Sequence, residues 1–277
     1  MMIDFWTKII NFAETITNEV GNYLITQTGK LEPSEKVDGS WVTASDLWAE
    51  EKIRQAIVST FPNHSFLSEE TVQKFPNKEW CWIVDPIDGT SNFAQGLPLW
   101  SISLGLLYQG TPVFGYVHLP ELKQSFYGFY KSVKTLSIPT GAFMNHQAIS
   151  PTLAFPRQQD FFNFCLSSAP FEIAPFPCKI RVLGVATYDC LTVANGIAVG
   201  AVEFKPKIWD IAATWVIVQA AGAVWISLES QPIFPLMSEK NYHSRCFPTL
   251  VMAKNELIPI FRPQIEELLN LWKIRNG

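Results

Sequence analysis

Four acidic residues stand where apolar runs stop or helical runs begin. In WIVDPIDGTSNF, residues 82–93, Asp85 ends a strand-like run and Asp88 follows after Pro86 and Ile87. Glu69 closes a second apolar run, and Asp210 stands in WDIAA immediately before a helical pattern. A carboxylate at the end of a buried strand is costly unless hydrogen bonds or a cation neutralise it. Hard divalent cations such as Mg²⁺ take oxygen ligands: one or two carboxylates, with water and substrate phosphate completing the octahedron. This set of side chains suits Mg²⁺ and not zinc, and the chemistry within its reach is metal-assisted phosphoryl transfer. Pro86 fixes its own φ near about −65° and keeps Asp85 out of helical geometry, so the chain turns sharply there. Gly89 permits a conformation closed to other residues, and Thr90-Ser91-Asn92 reads as the capped start of a helix, whose free amides are a seat for phosphate. Taken singly, each fragment also has a plain reading: D-P-x-D-G as a surface turn, Glu69-Glu70 as a solvated pair, and Asp210 as a helix cap.

Regular elements must bring these residues together. Residues 4–28 carry Phe5, Ile9, Phe12, Ile16, Val20 and Leu24 at helical spacing, and GKLEPSEKVDGS (29–40) reads as a loop or loose hairpin. Asp46 opens a second amphipathic helix capped by Ser45 or Asp46 and stopped by Pro62. A short apolar run, His64–Leu67, leads into Ser68-Glu69-Glu70, and strands are expected at Trp80–Val84, on both sides of Gln109-Gly110, and in SFYGFY. Further on, Leu191–Val199 resembles a helix, Ala201–Phe204 a strand, Ile211–Ala221 a helix, Ala223–Ser227 a strand, and Pro263–Arg275 a closing helix. The pattern is an α/β chain, α+β in its first half (1–140) and α/β in its second (141–277), joined near Lys131–Gly141.

The motif set resembles the inositol monophosphatase family of magnesium-dependent, lithium-sensitive phosphatases. WIVDPIDGTSNF, SEE (68–70), WDIAA (209–213), VTASD (42–46), GAFMN (141–145) and Arg181-Val-Leu-Gly184-Val-Ala186 fall in that family's order over most of the chain. The resemblance implies a layered αβαβα sandwich and a water, activated by two or three Mg²⁺ ions, that attacks the phosphate in line. It also implies ligand sets. Glu69, Asp85 and the Ile87 carbonyl would hold one ion, and Asp85, Asp88 and Asp210 a second. Gly89 and Thr90 amides would meet the phosphate, the Thr90 hydroxyl backed by Asp46 would orient the water, and Glu69 would assist. Gly184, Ala186, Glu203 and Asp210 would face the substrate, a small phosphorylated polyol or sugar. Inositol monophosphate leads, with histidinol phosphate, fructose 1,6-bisphosphate or a 3′-phosphonucleotide as alternatives. A homodimer is implied as well. Ser68 and His146 stand where the family commonly has Gly, Lys36 matches a position near the metals, and the basic FKPK segment (204–207) bears on the leaving group.

Two rivals remain at this level. Haloacid dehalogenase phosphatases use an aspartate nucleophile in D-x-D-G-T, but the run here is one residue longer and lies behind two helices. A non-catalytic regulatory protein of the same fold would often have lost a ligand, yet every ligand position bears a carboxylate and Thr90 is present.

Composition narrows the class further. The 277 residues are 48% hydrophobic and 17% charged with a formal charge of −4, so no basic field for nucleic acid exists. Five scattered cysteines, Cys81, Cys165, Cys178, Cys190 and Cys246, lack any C-x-x-C pair and fit a reducing cytoplasm. The N-terminus lacks a signal pattern. The run Ile211–Leu228 is interrupted by Thr214, Gln219 and Gly222 and reads as a buried helix followed by a strand, so no membrane association is expected. His64, His118 and His243 are isolated in sequence and read as structural.

Overall fold

The computed structural model describes residues 2–30, 32–36, 41–72, 74–164 and 176–276. Parts of the expected 29–40 loop, and Cys165, lie outside them. The chain opens with α1 (Met2–Ile25), a short hairpin of β1 (Ser34–Glu35) and β2 (Trp41–Val42), and α2 (Ala44–Thr60). A first sheet follows: β3 (Ser65–Ser68), β4 (Trp80–Asp88), then α3 (Thr90–Gln95), β5 (Ser101–Tyr108), β6 (Thr111–Leu119), β7 (Gln124–Phe129), β8 (Gly141–Met144) and β9 (Gln147–Ala148). Its strands lie in sequence order; β3 is parallel to β4 and all later pairs are antiparallel. This sheet therefore continues past the 140/141 seam and ends at Ala148. The remainder comprises β10 (Phe161–Phe164), β11 (Lys179–Arg181), α4 (Ala186–Ala194), β12 (Ala198–Glu203), α5 (Ile208–Ala221), β13 (Val224–Ser227), β14 (Thr249–Met252) and α6 (Ile258–Asn276). Its strands form a second sheet in the order β11-β10-β12-β14-β13.

Five layers result, in the expected αβαβα order. Ile9, Ala13, Ile16, Val20 and Leu24 of α1 recur at helical spacing and pack, with Ile53 and Ile57 of α2, on Val84, Leu104 and Phe114 of the first sheet. On its other face, Leu191, Ala213 and Ile217 from α4 and α5 meet Val117, Leu119 and Phe126. The second sheet covers those helices, and Phe261, Ile265 and Leu269 of α6 seal it against Phe162 and Phe164.

One packing detail governs the site. Gly105, Gly115 and Gly128 sit side by side across β5, β6 and β7. A Cβ on Gly105 would come within 2.9 Å of the Ala212 Cβ, one on Gly115 within 2.8 Å of the Ala213 Cα, and one on Gly128 within 3.1 Å of the Ile217 Cα. The row is a trough with no side chains, and α5 lies in it backbone to backbone. That contact fixes where the first turn of α5, and with it Asp210, comes to rest.

Several boundaries differ from the sequence reading. The apolar run Leu191–Val199 is not one helix: α4 spans Ala186–Ala194, Gly196 turns at φ 80°, and Val199 belongs to β12. The α2 cap is Thr43, whose side chain accepts the Ser45 amide, while Asp46 is the third helical residue and completes the capping box. Asp210 lies in the first turn of α5, not before it. The closing helix starts at Ile258, ahead of Pro263. Among the described residues no helix is long and apolar enough to cross a membrane.

Candidate active site

Strand β4 does not stop at Asp85; it runs through Pro86 and Ile87 to Asp88. Its register against β5 shifts on the way, with Asp85 opposite Ser103 and Asp88 opposite Ser101. In a regular strand, residues three apart face opposite sides of the sheet. The bulge cancels that alternation and absorbs the amide that Pro86 lacks. Both carboxylates thus point the same way, and the Ile87 amide donates to Asp85 Oδ1 at 3.1 Å. Asp85, Asp88 and Asp210 each offer an oxygen within 4.8 Å of the other two. Asp210 is braced by the Lys207 amide, which donates to its Oδ2 at 2.6 Å.

The next turn is built on Gly89, which adopts φ 88° and leaves no room for a side chain: a Cβ would lie 2.8 Å from Val185 Cγ2. Gly89 is itself the N-cap of α3, and no side chain caps that helix. Thr90, its first residue, donates its hydroxyl to the Ile87 carbonyl at 3.0 Å, with Asp46 Oδ1 at 3.4 Å. Asp46 Oδ2 is occupied by the Thr43 amide and hydroxyl, each at 2.7 Å, so Oδ1 is the atom turned toward Thr90. Across the site, the Lys36 ammonium lies 2.6 Å from both Glu69 Oε1 and Glu70 Oε1.

The electrostatics are those of acids crowded away from water. Burial, then the charge of Glu69, pushes Asp85 well above the usual carboxylate range. Burial, then the charge of Asp88, does the same to Asp210. Burial lifts Asp46 and Asp88 to about 6 against the opposing hydrogen bonds from Thr43 and Thr187, and lifts Glu70 to about 7. Lys36 stands above the ordinary lysine range: burial lowers it, but Glu69 and Glu70 outweigh burial. Among the described residues, the buried end of the site offers the carboxylate oxygens of Asp85, Asp88 and Asp210 and an excess of acidic groups, which suits a hard divalent cation.

These groups line a cavity of about 660 Å³ that also takes in Gly184, Lys205, Lys207, His243 and Cys246. The structure thus brings together Glu69, Asp85, Ile87, Asp88, Gly89, Thr90, Gly184 and Asp210 on one surface, with Asp46 directly behind Thr90. Two expected substrate residues stand off it. Ala186 sends its amide to Asp88 Oδ1 at 3.3 Å, and Glu203, 2% exposed at the end of β12, faces the buried Asp189 carboxyl. Burial carries Asp189 to about 8. His64 is structural, stacked on Phe61 and Trp80 and accepting the Trp82 indole proton at 3.1 Å. His243, Ser244 and Cys246 also line the cavity, and nothing local in the sequence distinguishes such a wall from a loop. Thr43 had a signal, the T-x-x-D spacing to Asp46.

The sequence profile of the Inositol monophosphatase family matches residues 6–259. The chain belongs to the inositol monophosphatase family. Inositol monophosphatase 1 of Bos taurus is 28% identical over 276 residues, covering 94% of this chain and 99% of that one. A fructose-1,6-bisphosphatase/inositol-1-monophosphatase of Thermotoga maritima is 31% identical over 228 residues, covering 78% and 83%. Among solved structures, an IMPase of Thermotoga maritima superposes with a TM-score of 0.75 at 27% identity, covering 97% of this chain and 99% of that one. Membership in the inositol monophosphatase family makes this a phosphatase-family protein with the family's layered fold.

Proposed function

We propose that the protein is a Mg²⁺-dependent phosphomonoester hydrolase acting on a small phosphorylated polyol, with inositol monophosphate as the leading substrate. The observation that carries this reading is the convergence of Asp85, Asp88 and Asp210 within 4.8 Å at the floor of a cavity that Glu69 and Thr90 also line. Asp85 would be shared between two cation positions, with Glu69 and the Ile87 carbonyl on one side and Asp88 and Asp210 on the other. Bound by these residues, Mg²⁺ would supply charge stabilisation and would acidify a water.

The chain's own residues provide the positioning. Thr90 has one hydroxyl proton; turned from the Ile87 carbonyl to Asp46 Oδ1, it leaves its oxygen lone pairs free to accept a hydrogen bond from the attacking water and so set that water's direction. Asp46 can only accept when ionised, and its Oδ2 is already held by Thr43, so the carboxylate cannot follow Thr90 out of place. Gly89 and Thr90 turn their amides toward the phosphate, and Glu69 assists from the other side of the cavity. Phosphoryl transfer asks for little else, because positioning and charge stabilisation supply most of the rate.

The polyol assignment rests on family membership and on Gly184 in the cavity wall, since Ala186 and Glu203 stand off it, while Lys205 and Lys207 on that wall favour a second anionic group, as in fructose 1,6-bisphosphate or a 3′-phosphonucleotide. Lithium inhibition, a cytoplasmic location and a homodimer belong to the same reading. The test is phosphate release from inositol 1-phosphate, fructose 1,6-bisphosphate, histidinol phosphate and a 3′-phosphonucleotide, with and without Mg²⁺. Asp88→Asn and Asp210→Asn should each lose turnover by orders of magnitude while remaining folded. Metal-independent release, or near-normal turnover in either soluble variant, defeats the assignment.

A further inference from the structure

Asp88 is gripped unevenly. Its Oδ2 accepts the Thr187 amide at 2.8 Å and the Thr187 hydroxyl at 2.6 Å, whereas Oδ1 has the longer contact, 3.3 Å, from the Ala186 amide. A carboxylate oxygen has two acceptor positions, so Oδ2 is filled and Oδ1 retains capacity. The hydroxyl directions follow. An ionised carboxylate only accepts, which commits the single Thr187 proton to Asp88. Ser101 Oγ lies 2.7 Å from Thr187 Oγ1, and with the threonine proton spent, the serine must donate. Ser101 and Thr187 are fully buried, and Ser101 sits directly opposite Asp88 in the β4–β5 ladder. The chain Ser101 to Thr187 to Asp88 therefore ties two strands of the first sheet to the first turn of α4.

We propose that Thr187 is a positioning residue for the cation site: its hydroxyl, oriented by Ser101, saturates Asp88 Oδ2 and sets the carboxylate plane so that Oδ1 is presented to the divalent cation. This rests on Asp88 being a ligand, as proposed above. Without the hydroxyl the carboxylate would keep the Thr187 amide on Oδ2 and only the long Ala186 contact on Oδ1; the second short bond on Oδ2 is what tightens its plane against the broad terminal torsion. The hydroxyl's role is separable from the helix start, because Asp88 still accepts the Ala186 and Thr187 amides of the first turn of α4 when the hydroxyl is removed.

The test is calorimetric titration of the full-length protein with Mg²⁺ in the absence of substrate, supported by Mn²⁺ titration followed by electron paramagnetic resonance. Thr187→Val should weaken the affinity by about 10- to 100-fold, as loss of an outer partner of a metal ligand does. Thr187→Ser, which restores the donor, should recover wild-type affinity, and Ser101→Ala should fall between. A residue that only supported the helix would lower the melting temperature of Thr187→Val and leave its Mg²⁺ affinity unchanged; that result, in a folded variant, overturns the inference. Should Thr187→Val not fold, Ser101→Ala decides in its place, with unchanged affinity again overturning it. Absence of Mg²⁺ uptake by the wild type would overturn the metal reading itself, and this inference with it, whereas unchanged uptake by Thr187→Val overturns the inference alone.

Discussion

Lys36 and Glu69 meet end to end, Nζ to Oε1 at 2.6 Å, and the same ammonium reaches Glu70 at 2.6 Å. A lysine thus holds the acid proposed to receive a cation. Any ion arriving at Glu69 competes with it, since both draw on the same carboxylate charge. Lys36→Met should therefore bind Mg²⁺ more tightly in the absence of substrate. Calorimetry on the two proteins measures this directly, and an equal or weaker affinity in the variant would show that Lys36 does not compete.

The crowded acids give stability a pH dependence with a definite sign. Asp46 and Asp88 at about 6 and Glu70 at about 7 lie above the usual carboxylate values, so without metal the folded state retains protons that the unfolded chain releases. That contribution is complete below about pH 4 and is lost as the pH rises through 6 to 7. His64 and His118, lowered to about 4 by burial, act oppositely: their contribution is present above about pH 6.5 and is lost as the pH falls toward 4. The histidines are common to both metal states and cancel in the difference. The rise in melting temperature produced by Mg²⁺ should be small at pH 5 and grow toward pH 8, and a constant increment across that range would refute the argument.

The trough under α5 admits no side chain. Gly115→Ala forces a methyl into the Ala213 backbone and should cost about 1–3 kcal/mol, read from urea denaturation. Since the displaced helix carries Asp210, Mg²⁺ affinity should fall as well. A variant as stable as the wild type would mean that α5 can ride away from the sheet.

Glu203 separates two accounts of substrate choice. Buried against Asp189 and off the cavity, Glu203 should influence both substrates alike, so Glu203→Gln should change kcat/KM for inositol 1-phosphate and for a small aryl phosphate by similar factors. A loss of about tenfold confined to inositol 1-phosphate, roughly the worth of a hydrogen bond to a charged group, would show instead that Glu203 meets the substrate.

Much of this site was legible because its acids fall at the ends of elements that a period-2 or period-3.6 pattern reveals. The strand–turn around Asp85 and Asp88, the Glu69 run and the WDIAA helix start could all be read locally. Their partners could not. Thr187 is 99 residues from Asp88 in sequence, and Lys36 is 33 from Glu69, so only the folded chain shows these bonds. The helix expected over 191–199 ends early for a local reason: apolar residues continue on both sides of Asn195-Gly196, and that pair is the stop between α4 and β12. The continuation of the strand through Pro86 is not legible in the sequence, because proline ordinarily argues against a central strand and only the bulge makes it tolerable.

The glycine trough also has a bearing on how the molecule assembles. Asp85 and Asp88 belong to a sheet built from hairpins close in sequence, whereas Asp210 arrives on a helix that must return from far along the chain and settle onto bare backbone. Closing so long a loop comes late, because its entropic cost precedes any reward from contact. The last move of that docking also presses a third carboxylate against two others. Without a cation that step must bring like charges together or take up protons, whereas a divalent ion in solution would act on the unfinished chain as a template, rewarding only the arrangement in which all the layers are in place.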